Sequence, residues 1–210
     1  MFVAVALAAP APAADVRTGS VSAGLGGSWL FGGNASGLSP GLSERISGEV
    51  ALSTVSALTL DVDHARHRAV DAAAWFTDPA PPEDAMTGYR DYVAFDLGAR
   101  VGLDLTDPAR AGDPRVTVVP ALRFGVAVVR TTTLLTVPSF DGARPLRSTT
   151  VWPALSLGAS VEINLRRWLS VVPHVKTQVL LMEDQHERDT RSTWGLEWRL
   201  QPALDASFHF

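Results

Sequence analysis

The last stretch of the chain sets the tightest limit on its fold. From Trp194 to Phe210 every even position is apolar: Trp194, Leu196, Trp198, Leu200, Pro202, Leu204, Ala206, Phe208 and Phe210. The odd positions are small or polar: Gly195, Glu197, Arg199, Gln201, Ala203, Asp205, Ser207 and His209. A period of two is the pattern of a β-strand with two unlike faces. Ordinary strands run about 5–6 residues, and this one runs for about three times that length. A strand so long needs partners of similar height, which a β-barrel supplies.

The same alternation recurs upstream. Apolar rows run through Val21–Phe31, Ile46–Leu52, Leu58–Val62, Val93–Leu105, Val116–Val128, Val151–Ile163 and Leu169–Leu181, each set against a row of small or polar residues. With the closing strand this gives eight. The connections alternate in length. Gly32–Leu42, Arg66–Tyr89, Thr131–Thr149 and Glu183–Thr193 are long; Ser53–Ser56, Thr106–Pro114 and Arg166–Arg167 are tighter. The second long loop carries Trp75, Phe76 and the run Pro79-Ala80-Pro81-Pro82, which cannot continue a strand. Long loops at one end and short turns at the other, with an even strand count, are the outer-membrane arrangement.

Alternation alone does not say which face looks inward. A soluble lipocalin-like barrel keeps its apolar face inside; a membrane barrel reverses it. The apolar rows here carry almost no charge, and one Arg or Lys at mid-bilayer would cost ~2–4 kcal/mol. The opposite rows are rich in Gly and Ser, which suits a narrow lumen. Aromatics gather at strand ends, Trp29 and Phe31 at one rim and Phe208 and Phe210 at the other, where amphipathic rings favour the headgroup level. The reading is therefore an all-β, eight-stranded, antiparallel up-and-down transmembrane β-barrel. It occupies residues 15–210 as one domain. Pro120, Pro153, Pro173 and Pro202 all lie on apolar rows and are expected to mark bulges or bends.

Residues 1–14 read as a secretory signal peptide: Phe2–Ala9 is apolar and Ala11-Pro12-Ala13 resembles a cleavage site. There is no cysteine, so neither a disulfide framework nor a thiolate metal site is available. A net charge of −4 gives no reason to expect a nucleic-acid partner.

Carried by the alternating rows and by the ending Leu204-Asp205-Ala206-Ser207-Phe208-His209-Phe210, the chain resembles the small outer-membrane barrels of the OmpA and OmpW types over about Thr18–Phe210. The resemblance implies location in the outer membrane, with lipid and the barrel assembly machinery as partners. It also implies that Phe208 and Phe210 form the C-terminal aromatic signal read by that machinery.

If the polar rows point inward, the lumen holds Arg45, Glu49, Asp61, Asp63, Asp96, Arg100, Asp104, Arg123, Glu162, His174, Lys176, Glu197, Arg199 and Asp205. An eight-stranded barrel is just wide enough for side chains to fill, and buried charges must be paired. Folding each hairpin about its turn sets Asp96 opposite Arg123, Arg45 near Asp63, and Lys176 beside Glu197 and Arg199. The expected role is structural, or interactive through the outer loops, around a charge-filled lumen. The alternatives are a narrow channel for small or hydrophobic solutes, a lipid-modifying enzyme, and a soluble lipocalin-like binder. For the enzyme, the candidates are His64 and His67 beside Asp61 and Asp63, and His186 with Glu183, Asp184 and Glu187. No Gly-x-Ser-x-Gly or His-Glu-x-x-His motif is present. No cofactor or metal is expected, and no catalytic residue is assigned.

Overall fold

Alternating rows can satisfy every backbone group in lipid only if the sheet closes, because a bare edge has no water to bond. The computed structural model, which describes residues 18–32, 37–69, 86–105, 116–135, 144–183 and 194–210, shows that closure. The strands are β1 (Gly19–Phe31), β2 (Gly41–Ala51), β3 (Ser56–Arg68), β4 (Met86–Val101), β5 (Leu103–Asp104), β6 (Val116–Leu135), β7 (Arg144–Arg166), β8 (Leu169–Glu183) and β9 (Trp194–His209). Successive strands pair antiparallel, except that β4 and β5 both pair with β6, and β1 pairs with β9. The short β5 continues the register of β4 against β6 after a break at Gly102. The wall is thus an eight-stranded, closed, up-and-down barrel.

Register fixes its shape. Hydrogen-bonded partners followed once around from Ser20 run through Glu49, Thr59, Gly98, Arg123, Ser156, Gln178 and Arg199, and return to β1 at Leu30, ten residues along. That stagger requires strongly tilted strands, roughly 35–45° from the axis, and leaves a lumen that side chains fill.

The faces are inverted relative to a soluble protein. Val21, Leu25, Ile46, Leu60, Leu97, Phe124, Leu157 and Leu204 are exposed on the outer wall. Ser20, Ser47, Asp61, Asp96, Ser156, Lys176, Gln178 and Arg199 are buried inside. The soluble alternative, with apolar rows inside, is not the arrangement adopted. On β6 the outer apolar row runs from Val118 to Val128, about 25 Å tall once rise and tilt are included, which is the height of a lipid-facing band. At the end bearing the termini, Trp168 stacks on Phe208 at 6.1 Å between ring centroids. At the other end Phe31 faces Trp198 across the β1–β9 ladder.

The prolines do not make the expected bulges. The one register shift in the wall lies at Asn164/Arg166. Each proline instead sits where one of its two ladders stops or skips. Pairing is interrupted beside Pro120 at the β4/β5 break and beside Pro173 on the β7 side. It is interrupted beside Pro202 on the β1 side, and the β7–β8 ladder ends just short of Pro153, at Ala154–Leu180. A residue with no N–H leaves a gap on the side it faces without displacing its neighbours.

Several strands are longer than the alternation suggested. β3 runs to Arg68, β4 begins at Met86, β6 reaches Leu135 and β7 starts at Arg144. Strand therefore occupies both ends of two of the predicted long loops. The Trp75–Pro82 segment, the His186 cluster and residues 1–14 lie outside the described residues.

Candidate functional site: the lumen

The inner rows fit because large residues face small ones. Arg123 lies opposite Gly98, Asp96 opposite Gly125, and Lys176 opposite Gly158. Gly24 lies between Arg45 and Asp205 on its two neighbouring strands. A Cβ at Gly98 would strike Arg123 and the carbonyl of Leu122; one at Gly125 would strike Asp96. The glycines of the polar rows are the space into which the charged side chains reach, the small/large alternation expected of a narrow barrel.

Six cations (Arg45, Arg90, Arg100, Arg123, Lys176, Arg199) and seven carboxylates (Glu49, Asp61, Asp63, Asp96, Glu162, Glu197, Asp205) fill the described lumen. All but Arg199, whose guanidinium nitrogens have no hydrogen-bond partner among the described residues, pair across it. In the middle, Lys176 Nζ bridges Asp63 and Asp96. Asp96 also accepts from Ser156 Oγ at 3.0 Å and Gln178 Nε2 at 3.2 Å. Asp61 is held by Arg123 Nε at 2.5 Å, Arg45 Nη2 at 3.0 Å and Ser47 Oγ at 2.6 Å. Toward the termini, Arg45 reaches Asp205 at 3.1 Å and His174 at 3.1 Å. Arg100 bridges Glu49 at 2.7 Å and Glu162 at 3.4 Å. Toward the other end, Tyr92 donates to Glu197 at 2.6 Å and Arg90 contacts the same carboxylate at 3.3 Å. Arg199 is wholly buried with its guanidinium 5.5 Å from the Tyr92 ring centre.

Toward the same end an apolar cluster packs inside the wall: Tyr92, Ala94, Ala127, Val129, Trp152, Ala154 and Leu180, with Leu30 against them. Beneath it, a cavity of about 30 Å³ lies among Arg45, Glu49, Arg100, Arg123, His174 and Asp205. That is room for one or two waters and not for a solute.

The predicted lumen residues Arg45, Asp63, Asp96, Arg100, Arg123, Glu162, Lys176, Glu197 and Arg199 all point inward, but their expected partners need correction. Arg45 does lie opposite Asp63, yet its ion pairs are with Asp61 and Asp205. Arg123 sits opposite Gly98, and its partner is Asp61 rather than Asp96. Lys176 faces Gln201 on β9, and it pairs with Asp63 and Asp96 rather than standing beside Glu197 and Arg199. Long side chains in a narrow tube meet partners on strands that are not neighbours, which hairpin folding cannot anticipate. Asp104, expected inside, is exposed in β5. Arg90, His209 and Tyr92 join the network without having been assigned to it. In the sequence Arg90 directly follows the long Arg66–Tyr89 connection, which hides it, although its even number shares the inward parity of Tyr92 and Asp96.

His64 and His67 cannot form one site. Three residues apart on a strand, they face opposite ways. His67 is buried inside, bonded to Ser28 Oγ at 3.1 Å and to the Ser39 carbonyl at 2.9 Å. His64 is on the outer wall, 3.8 Å from Glu44 and 3.7 Å from Asp91. Among the described residues no group of three or more His, Cys, Asp or Glu side chains could hold a metal ion.

No family model and no curated protein sequence matches the chain. Solved structures do. Ail, the attachment invasion locus protein of Yersinia pestis, solved with the heparin analogue sucrose octasulfate, superposes with a TM-score of 0.51 at 11% identity, covering 91% of this chain and 97% of that one. Neisserial surface protein A superposes with a TM-score of 0.51 at 14% identity, covering 92% and 97%. The fold is that of a small outer-membrane β-barrel. An apolar band between aromatic rims, closed on a polar lumen, is the surface of an integral membrane protein of this class.

At the β1–β9 closure the barrel uses its C-terminal residue. The Phe210 carbonyl accepts from Thr18 N at 2.8 Å, Thr18 Oγ1 at 2.9 Å and Gly19 N at 3.2 Å, and Phe210 N donates to the Gly19 carbonyl at 3.1 Å. Phe208 and Phe210 themselves are exposed on the outer rim.

Proposed function

We propose that this is a closed, non-conducting, non-catalytic outer-membrane barrel that serves as a structural element and displays the strand extensions and loops opposite its termini to the outside. The observation that carries the reading is the lumen itself. Its charges, Arg199 apart, are paired across the bore, and the cavity among Arg45, Arg123 and Asp205 has room for one or two waters. Opening a path would strand buried carboxylates and cations, each worth several kcal/mol (~3–5 for one broken buried pair). Its partners are outer-membrane lipid on the apolar wall and, through Phe208 and Phe210, the barrel assembly machinery. The test is conductance of the refolded barrel in a planar bilayer. Steady closure at physiological voltage supports the reading; stable unitary steps sink it.

One observation favours a second reading, passage of small apolar compounds beside the lumen. The β7–β8 ladder stops at Ala154–Leu180, whereas β7 continues to Arg144 and β8 to Glu183. Above that point the described parts of β7 and β8 do not pair with each other, and Trp152 and Leu180 back the seam from inside. Unpaired backbone at lipid depth is costly, so a seam there invites a role. A disulfide joining Pro153→Cys to Leu181→Cys would lock it. Slower permeation of an apolar dye after oxidation would favour this reading, and unchanged permeation would leave the first.

A further inference from the structure

We infer that an arginine patch on the outer wall, at the end away from the termini, seats the phosphate of an outer-leaflet lipid headgroup. The inference rests on the orientation proposed above, with the termini on the periplasmic side.

The patch begins where the apolar band stops. On β3, β4 and β6 the outward apolar rows break after Val62, Val93 and Val128. Beyond them the ladder places Arg66, Asp91 and Arg130 in one row across three strands, with Arg68 opposite Tyr89 in the next and Arg147 opposite Thr132. Arg66, Arg68, Arg130 and Arg147 are all exposed. Against these four cations the patch holds Asp91, largely covered, and Glu44 on the neighbouring β2.

Arg66 is held in place. Its Nε donates to Asp91 Oδ1 at 2.6 Å and its Nη2 to Oδ2 at 3.3 Å, and its guanidinium lies 4.6 Å from the centre of the Tyr89 ring. A guanidinium has five N–H donors. Asp91 takes two, so three have no partner among the described residues, on a side chain that is still 60% exposed. A fixed fork with free donors beside further arginines is the arrangement that takes a phosphate oxygen pair.

The position selects the occupant. A side chain on the outer wall, one step above the acyl-chain zone, meets whatever stands on those chains, which is the headgroup layer. The patch is continuous with the lipid-facing surface and is not a pocket open to the medium. Each cation near an anionic membrane surface adds about 1 kcal/mol to the attraction, so removing two of the four is expected to cut lipid retention at least about tenfold.

The experiment uses the full-length refolded barrel in phosphatidylcholine nanodiscs, with diphosphorylated lipid A as the probe and native mass spectrometry as the readout. Wild type is expected to retain lipid A, and to retain its dephosphorylated form poorly. R66A/R130A is expected to lose retention at least about tenfold, and R66K/R130K to keep part of it. R166A/R167A, at the opposite end, is expected to behave as wild type. A heat-dependent gel shift confirms that each variant is folded. Equal retention by R66A/R130A overturns the proposal, and so does an equal loss from R166A/R167A. Arginine-dependent capture of a heparin fragment from water, with no preference for lipid A, overturns it in favour of a sulfated glycan. Labelling of Arg147→Cys by an impermeant maleimide on intact cells reports the orientation separately, so its failure would be distinct from a failure to bind lipid.

Discussion

Lys176 is the side chain whose loss the lumen should feel most. Its ammonium bridges Asp63 and Asp96 from β8 to β3 and β4, and all three groups are buried. Lys176→Met keeps the length of the stem and removes the charge. Asp96 would keep Ser156 and Gln178 as donors. Asp63 would keep no ion pair within 4 Å among the described residues. Removing one partner of a buried pair costs ~3–5 kcal/mol, and one cation here serves two carboxylates. We therefore expect Lys176→Met to cost about 4 kcal/mol, and the added change Asp63→Asn to restore about half of it by removing the stranded charge. The assay is urea unfolding in phosphatidylcholine vesicles, followed by tryptophan fluorescence and by gel mobility. A loss below about 1 kcal/mol would refute the reasoning, since that is the scale of an exposed pair. So would a double variant less stable than Lys176→Met alone.

Other outcomes follow from the same structure. Leu97→Arg, at a wall position 62% exposed, should cost ~2–4 kcal/mol in a bilayer, whereas on a water-facing wall it would fall within about 0.5 kcal/mol of neutral; vesicle-based unfolding separates the two. Tyr92→Phe removes the 2.6 Å donor to buried Glu197 and should cost ~1–3 kcal/mol, read by the same titration. Gly98→Leu fills the space beside Arg123 and should destabilise by ~1–3 kcal/mol through overpacking, with Gly98→Ala milder.

Much of the fold was legible because a membrane wall writes its two faces into alternate positions. The even row of Trp194–Phe210 and its counterparts fixed which residues face out, and a register error of one residue would have inverted them. An error of two leaves the faces intact. The Asp96–Arg123 expectation failed in just that way: Arg123 is displaced by two from the predicted register, so it meets Gly98 and turns across the bore to Asp61. Sequence separation carries no signal for contacts across a lumen, so the partners of Arg45, Arg123 and Lys176 could not be read from hairpins. Strand ends were misread where polar residues continue both rows above the lipid. Thr131–Leu135 and Arg144–Ser148 look like loop by composition, yet they pair with each other. The outer-wall patch around Arg66 and Asp91 was hidden for the same reason, because it lies where alternation of apolar and polar residues gives way to polar residues on both faces.

The central claim is that the apolar rows face lipid around a lumen sealed by its own charges. Because the chain has no cysteine, single cysteines at Leu97, Phe124, Leu157 and Leu204 can each carry a spin label in the vesicle-bound barrel. All four labels are expected to relax with oxygen dissolved in the bilayer and to stay shielded from a water-soluble nickel chelate. Labels reached by the nickel chelate and not by oxygen would put water on the apolar rows and contradict that claim.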